Sequence, residues 1–138
     1  MLNKEPLGTP LHYRRVWLAV GVCLILLLLY GSLAPVTGLP SMAGSDKFWH
    51  SGTYFIVMAY FAQLYTGVRA RAMLGAGLIA LGVAIEFIQP YVNRQFDWFD
   101  ALANSVGVFI ALGLSVPPLD RTVAWVDAFL KRRLTRRL

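Results

Sequence analysis

Three short polar clusters interrupt an otherwise apolar chain: Asp46, Lys47 and His50; Glu86 and Gln89; and Arg94, Asp97, Asp100 and Asn104. In 138 residues that are 57% hydrophobic and 14% charged, these are the groups able to do chemistry. Histidine is the residue type suited to proton transfer or nucleophilic attack near neutral pH, which makes His50 the first candidate. A neighbouring carboxylate, Asp46 or Asp100, can fix the imidazole tautomer, and Glu86 adds another acid. Lys47 and Arg94 are cations of the kind that hold phosphate oxygens, Arg94 in bidentate fashion. Tyr54, Gln89 and Asn104 add neutral donors and acceptors for a polar ligand. The set fits phosphoryl chemistry, with His50, Glu86, Asp100 and Asp46 as the reacting groups. A divalent cation on His50, Glu86 and Asp100 is a second use of the same residues, although their spacing carries no recognised metal signature.

Spacing decides whether these residues can meet. Asp46, His50 and Tyr54 follow at i, i+4, so on a helix they share one face. Glu86 and Gln89 are i, i+3 neighbours. Asp97, Asp100 and Asn104 form a third stripe, which Gly107 continues. Three stripes on three helices converge if the helices pack as a bundle. Pointing them at lipid instead would cost roughly 2–3 kcal/mol each near the membrane core. A plainer use of the same groups is a hydrogen-bond network that locks the bundle, with Asn104 capping and Arg94 paired to Asp97 or Asp100. Four acids, a lysine, an arginine and a histidine exceed what such a lock needs.

The helices themselves are membrane spans by composition. Mean hydropathy is +0.58, well above that of a soluble domain, and so much apolar surface must face lipid. Few charges and 13% aromatic residues exclude disorder. The lone Cys23 excludes a disulfide framework and a cysteine metal site. Thirteen Lys and Arg against seven Asp and Glu give a net charge of +6, but the chain lacks the charged surface of a nucleic-acid binder. Spans are expected at about 16–34, 48–65, 72–89 and 98–116. The first resembles a secretory signal peptide in outline, yet Pro35 directly after the candidate cleavage site argues for a retained span. Pro35–Ser45 reads as an irregular loop, Thr66–Arg71 and Pro90–Asp97 as connections, and Pro117-Pro118 as the stop of the fourth helix. Gly107 and Ala111 suggest close helix contacts. Trp17, Trp49, Trp98 and Trp125 fall near span boundaries, and His12 at the headgroups.

The tail is of another character. Leu119, Val123, Val126, Leu130, Leu134 and Leu138 share one helical face, and Arg121, Lys131, Arg132, Arg133, Arg136 and Arg137 crowd the rest. It reads either as an amphipathic helix in the headgroup plane or as a basic topology signal. The expected architecture is an all-α membrane protein: a four-helix transmembrane bundle over 1–116, with a C-terminal basic amphipathic helix over 117–138. Orientation follows from the bases. With both termini cytoplasmic, Lys4, Arg14, Arg15, Arg69, Arg71 and the six in the tail lie inside, and only Lys47 and Arg94 outside. The polar clusters then sit together at the outer end.

In that order and on those helices, Asp46-Lys47-x-x-His50 with Tyr54, Glu86-x-x-Gln89, and Arg94 through Asp100-x-x-x-Asn104-x-x-Gly107 resemble the VanZ-like family of small bacterial membrane proteins. The resemblance covers roughly Ser45 to Ala111. Two positions depart from it: Asp97 stands where a small hydroxyl residue is common, and Ala111 where glycine is frequent. The resemblance implies a multi-pass protein of the bacterial plasma membrane that acts on phosphate-bearing lipid head groups at the outer face. These would be phospholipids or polyprenyl-linked cell-wall precursors, with a link to teicoplanin resistance. Its partners are then membrane lipids and a lipid-linked precursor, without nucleic acid. A non-catalytic binding or scaffold protein of the cell envelope is the alternative; a transporter ranks last, because charges on one side leave no polar path across.

Overall fold

The structure, a computed structural model, describes residues 9–34 and 45–135, apart from the side chains of Ser45 and Asp46. The expected Pro35–Ser45 loop (its last residue excepted), Lys4, Arg136, Arg137 and Leu138 lie outside the described residues. Every regular element within them is helical: α1 (Arg14–Leu33), α2 (Ser45–Leu64), α3 (Val68–Ile88), α4 (Trp98–Leu114) and α5 (Thr122–Thr135). Short 3-10 turns follow α3 at Gln89–Val92 and precede α5 at Leu119–Arg121. By length and composition, α1 and the continuous stretch Val68–Val92 are apolar enough to cross a membrane. Helix α4 has 17 residues and meets the same test only together with the segment beyond its break, Leu119–Thr135, to which it is bent by 92°.

Hydrogen bonds fix how the helices run. At one end, Gln89 of the 3-10 turn donates from Nε2 to the Ser32 carbonyl near the end of α1 (3.1 Å), and Lys47 near the start of α2 reaches Asp97 at the start of α4. At the other end, the Thr9 hydroxyl donates to the Gln63 carbonyl (2.6 Å) and Arg71 reaches the Ser115 carbonyl (2.6 Å). Helices α1 to α4 therefore alternate in direction. The core between them is apolar: Leu28 of α1, Tyr54, Val57, Met58 and Ala62 of α2, Leu78 and Ile85 of α3, Val108 and Ala111 of α4. Large apolar side chains also cover the outside, among them Leu26, Leu27, Ile56, Met73, Phe109 and Ile110, all more than two-fifths exposed. A soluble domain of this size would bury such a girdle.

The connection after α2 is shorter than expected. Extended Gly67 (φ −71°, ψ 133°) starts α3 at Val68, so Arg69 and Arg71 stand in its first turn, not in a loop. Arg71 is there for a reason that net charge does not reveal. Its guanidinium offers five N–H donors, which satisfy the carbonyls of Ala62, Tyr65 and Ser115 and the Asp120 carboxylate (3.0 Å). The exposed carbonyls at the end of α2 are thereby capped, and α2, α3 and the α4–α5 turn are joined.

The tail helix docks on the bundle through Val123 and Asp127. Val123 and Asp127 are buried, while Val126, Leu130 and Leu134 stay exposed. The Gln63 side chain accepts from the Val123 amide (2.8 Å). Asp127 accepts from the backbone amides of His12 (2.7 Å) and Tyr13 (3.0 Å) and from the Trp17 indole (2.8 Å). It thus serves the unpaired N–H groups that open α1, where Tyr13 provides no side-chain cap. His12, through its backbone amide, and Trp17, through its indole, hold this carboxylate in place. Burial alone would raise the Asp127 carboxyl, but the Trp17, His12 and Tyr13 hydrogen bonds outweigh it and hold it below the usual carboxylate range. A depressed folded value stabilises above the unfolded value of about 3.9 and is lost as pH falls through the folded one. We predict that Asp127→Asn lowers stability at neutral pH by about 1–3 kcal/mol. The gap between variant and wild type in detergent melting curves is expected to stay constant from about pH 7 to 5 and to close below about pH 4.

Candidate functional site

Helices α2 and α4 approach so closely at Gly107 that their backbones touch. A Cβ on Gly107 would stand 2.9 Å from the Ser51 carbonyl carbon and 3.0 Å from the Phe55 amide nitrogen, and nearer still to the Ser51 oxygen. Only glycine allows this approach, and it sets His50, one residue before Ser51, against Asn104, one turn before Gly107. The Nδ1 of His50 and the Oδ1 of Asn104 lie 3.2 Å apart. Its Nε2 stands 3.7 Å from Asp100 Oδ2. Helix α3 brings Glu86 to the same place. One ring nitrogen of His50 and one oxygen each of Glu86 and Asp100 all lie within 4.8 Å of one another. These side chains are 8%, 0% and 6% exposed, respectively.

A ring of partners surrounds the three. Lys47 donates from Nζ to Asp97 (2.9 Å) and Asp100 (3.2 Å) and remains 46% exposed, so the cluster opens to the surface beside it. The Asp97 carboxylate accepts from the Phe99 amide (2.8 Å), capping α4, while its own amide donates to Glu86 Oε2 (3.3 Å). The hydrogen bond from Lys47, with that from the Phe99 amide, holds Asp97 below the usual carboxylate range. Among the described residues, Glu86 Oε1, Asn104 Nδ2 and the Tyr54 hydroxyl are buried without a hydrogen-bond partner. Gly82 of α3 leaves the room for the last two, each 3.2 Å from where its Cβ would lie.

Thus the structure brings together His50, Glu86, Asp100, Asn104 and Lys47, with Tyr54 one turn further in. Asp46 starts α2 one turn before His50, but its side chain lies outside the described residues. Gln89 is buried and spends its amide on Ser32 of α1. Arg94 does not pair with Asp97 or Asp100, because Lys47 takes both carboxylates; the Arg94 guanidinium reaches the Ala34 carbonyl at 3.4 Å. Asn104 is no cap either: it sits inside α4, and Asp97 caps that helix. The Lys47–Asp97 pair escaped the sequence reading because it joins residues fifty positions apart, with no periodicity to show it.

A comparison with curated proteins finds a relative in Schizosaccharomyces pombe, the uncharacterized protein C11E3.10, which is 31% identical over 113 residues. The matched region is 77% of this chain and 67% of the yeast protein. A single stretch covering 77% of the chain cannot avoid the region from Lys47 to Asn104, so the likeness runs across the polar cluster. No protein-family model matches the chain. No solved structure matches it either.

The close approach at Gly107 can be tested directly. Gly107→Ala gains about 1 kcal/mol of helix propensity yet is expected to destabilise the protein by about 1–3 kcal/mol, because rigid backbone and not a flexible side chain blocks the new methyl. Gly113→Ala on the same helix, where nothing lies within 4 Å, is expected to leave melting in detergent unchanged or raised.

Proposed function

This chain belongs to the same family as the uncharacterized S. pombe protein, and from that membership we propose a function that bacterial and fungal membranes share. The protein acts on, or binds, the phosphate-bearing head group of a membrane lipid at the His50–Glu86–Asp100 cluster. Phospholipids occur in both kinds of membrane and are the preferred substrate class, ahead of a polyprenyl-linked cell-wall precursor. The VanZ-like order of motifs supports this reading. The observation that carries it is the burial of three reactive side chains around one point, beside an exposed lysine. Lys47 and Arg94 attract and hold phosphate oxygens. Asn104 orients the His50 ring, and the buried trio faces the ester.

The membrane arrangement belongs to the same proposal. Helices α1 to α4 each span the bilayer, with the exposed apolar girdle against lipid and the polar cluster at the outer end. Arg14, Arg15, Arg69, Arg71 and the bases of α5 lie at the opposite end, and this bias supports a cytoplasmic side for both ends of the described chain. Helix α5 lies across that inner end, its exposed Val126, Leu130 and Leu134 towards lipid and its arginines among anionic headgroups.

Two experiments follow. In a Cys23→Ser background, Gly67→Cys is expected to react with an impermeant maleimide only after the membrane is opened, and Tyr91→Cys in intact cells; the reverse pattern would overturn the orientation. For the chemistry, mass spectrometry of the purified protein is expected to find a co-purifying phospholipid or polyprenyl phosphate. Incubation should then alter its head group with wild type and not with His50→Ala. A lipid that is bound but unaltered would make the protein a binder and not an enzyme; finding no lipid would sink the reading.

A further inference from the structure

The arrangement of the buried trio points to something more definite than a polar pocket. We propose that His50, Glu86 and Asp100 bind one divalent cation, of the Mn²⁺ or Zn²⁺ type. The proposal rests on the head-group reading of this site and deepens it, since the ion would be the group that polarises the phosphoryl oxygen.

Each of the two carboxylates is gripped from outside by a partner that leaves its second oxygen directed into the cluster. Asp100 gives Oδ1 to Lys47, and its Oδ2 faces His50 Nε2. Glu86 gives Oε2 to the Asp97 amide, while Oε1, wholly buried, has no hydrogen-bond partner among the described residues. His50 places Nδ1 3.2 Å from the Asn104 side-chain oxygen and Nε2 3.7 Å from Asp100 Oδ2. Metal-binding histidines and carboxylates are held in this way, the outer partner fixing the ligand's orientation. Ligands of one ion with bonds of about 2.1 Å stand about 3–4.2 Å apart, depending on the angle between them. The 3.7 Å from His50 Nε2 to Asp100 Oδ2 lies within that range and is too long for a hydrogen bond. The three donor atoms lie within 4.8 Å of one another, and the widest of their spacings must close to about 4.2 Å or less around one ion.

Charge gives an independent reason. Two carboxylates buried within a few ångströms repel and are poorly solvated, and Lys47 touches only one of them from the surface. A divalent cation compensates both. One nitrogen and two oxygens suit a borderline ion, and three protein ligands leave positions open for water or a phosphate oxygen. His50 then serves as a ligand, and the proton-transfer role that its residue type first suggests falls to a metal-bound water.

The test uses the detergent-purified full chain, stripped with chelator and titrated with Mn²⁺ alone, followed by the loss of the free-ion electron paramagnetic resonance signal. Wild type is expected to take up one Mn²⁺ per chain, displaceable by Zn²⁺, and to melt higher when loaded. Glu86→Gln and Asp100→Asn should each weaken uptake at least tenfold, while Asp127→Asn, at the opposite end of the bundle, should not. Without metal, Glu86→Gln is expected to melt at or above wild type, because it removes one of two crowded buried charges; a merely structural glutamate would give a lower value. Failure of the chain to bind Mn²⁺ or Zn²⁺, or unchanged uptake by Glu86→Gln, would overturn the cation site. No lipid enters this titration, so its failure is separate from failure of the head-group reading.

Discussion

The contact between α2 and α4 at Gly107 governs this molecule. With any side chain there the two helices would stand farther apart, and His50 would lose its reach to Asn104 and Asp100. The close approach follows from ordinary packing: a small residue lets two backbones meet, and dispersion gained along the seam compensates the helix propensity that glycine gives up. Ala111, one turn further on, extends the seam inward with Val108. A polar site is thereby placed on a rigid pair of helices and not on loops, and the third helix has only to deliver Glu86 into a gap already shaped. Gly82 does for α3 what Gly107 does for α4, in milder form, by leaving room for the Tyr54 hydroxyl and the Asn104 amide.

The two ends of the bundle spend their polar groups differently. At the end where α1 begins, Arg71 and Asp127 each satisfy several partners at once, chiefly backbone groups. That is stabilising chemistry, although Asp120 Oδ1 is buried there without a hydrogen-bond partner among the described residues. At the end where α2 and α4 begin, two carboxylates crowd one imidazole. Native proteins seldom leave buried polar atoms unpaired without a use for them, and three of the four such atoms among the described residues gather at this end.

Much of this was legible in the sequence, for reasons that also explain the failures. The helices announce themselves through uninterrupted apolar length, and their observed bounds fall within a few residues of those expected. His50, Glu86, Asp100 and Asn104 were legible as a group because each shares a helical face with polar neighbours three or four positions away. What periodicity cannot report is which residue on one helix meets which on another. Arg94 and Lys47 are both outer cations by count, and only the packing of α2 on α4 decides that Lys47 takes Asp97 and Asp100. Arg71 looked like a topology charge and nothing marked Asp127, since their partners are mostly backbone atoms, which have no letter in the sequence. The stripe of leucines in the tail was real, but the docking face was chosen by one aspartate and by Gln63.

Asp127 also constrains the order of events during synthesis. Its partners, His12, Tyr13 and Trp17, are made more than a hundred residues earlier. The amides just before α1 therefore wait unpaired until α5 has left the ribosome. The polar cluster, spanning Lys47 to Asn104, is complete well before that. The chain thus gathers this cluster first and fastens the opposite end last, so a nascent protein stalled before Asp127 would carry the cluster on a bundle still open at its base.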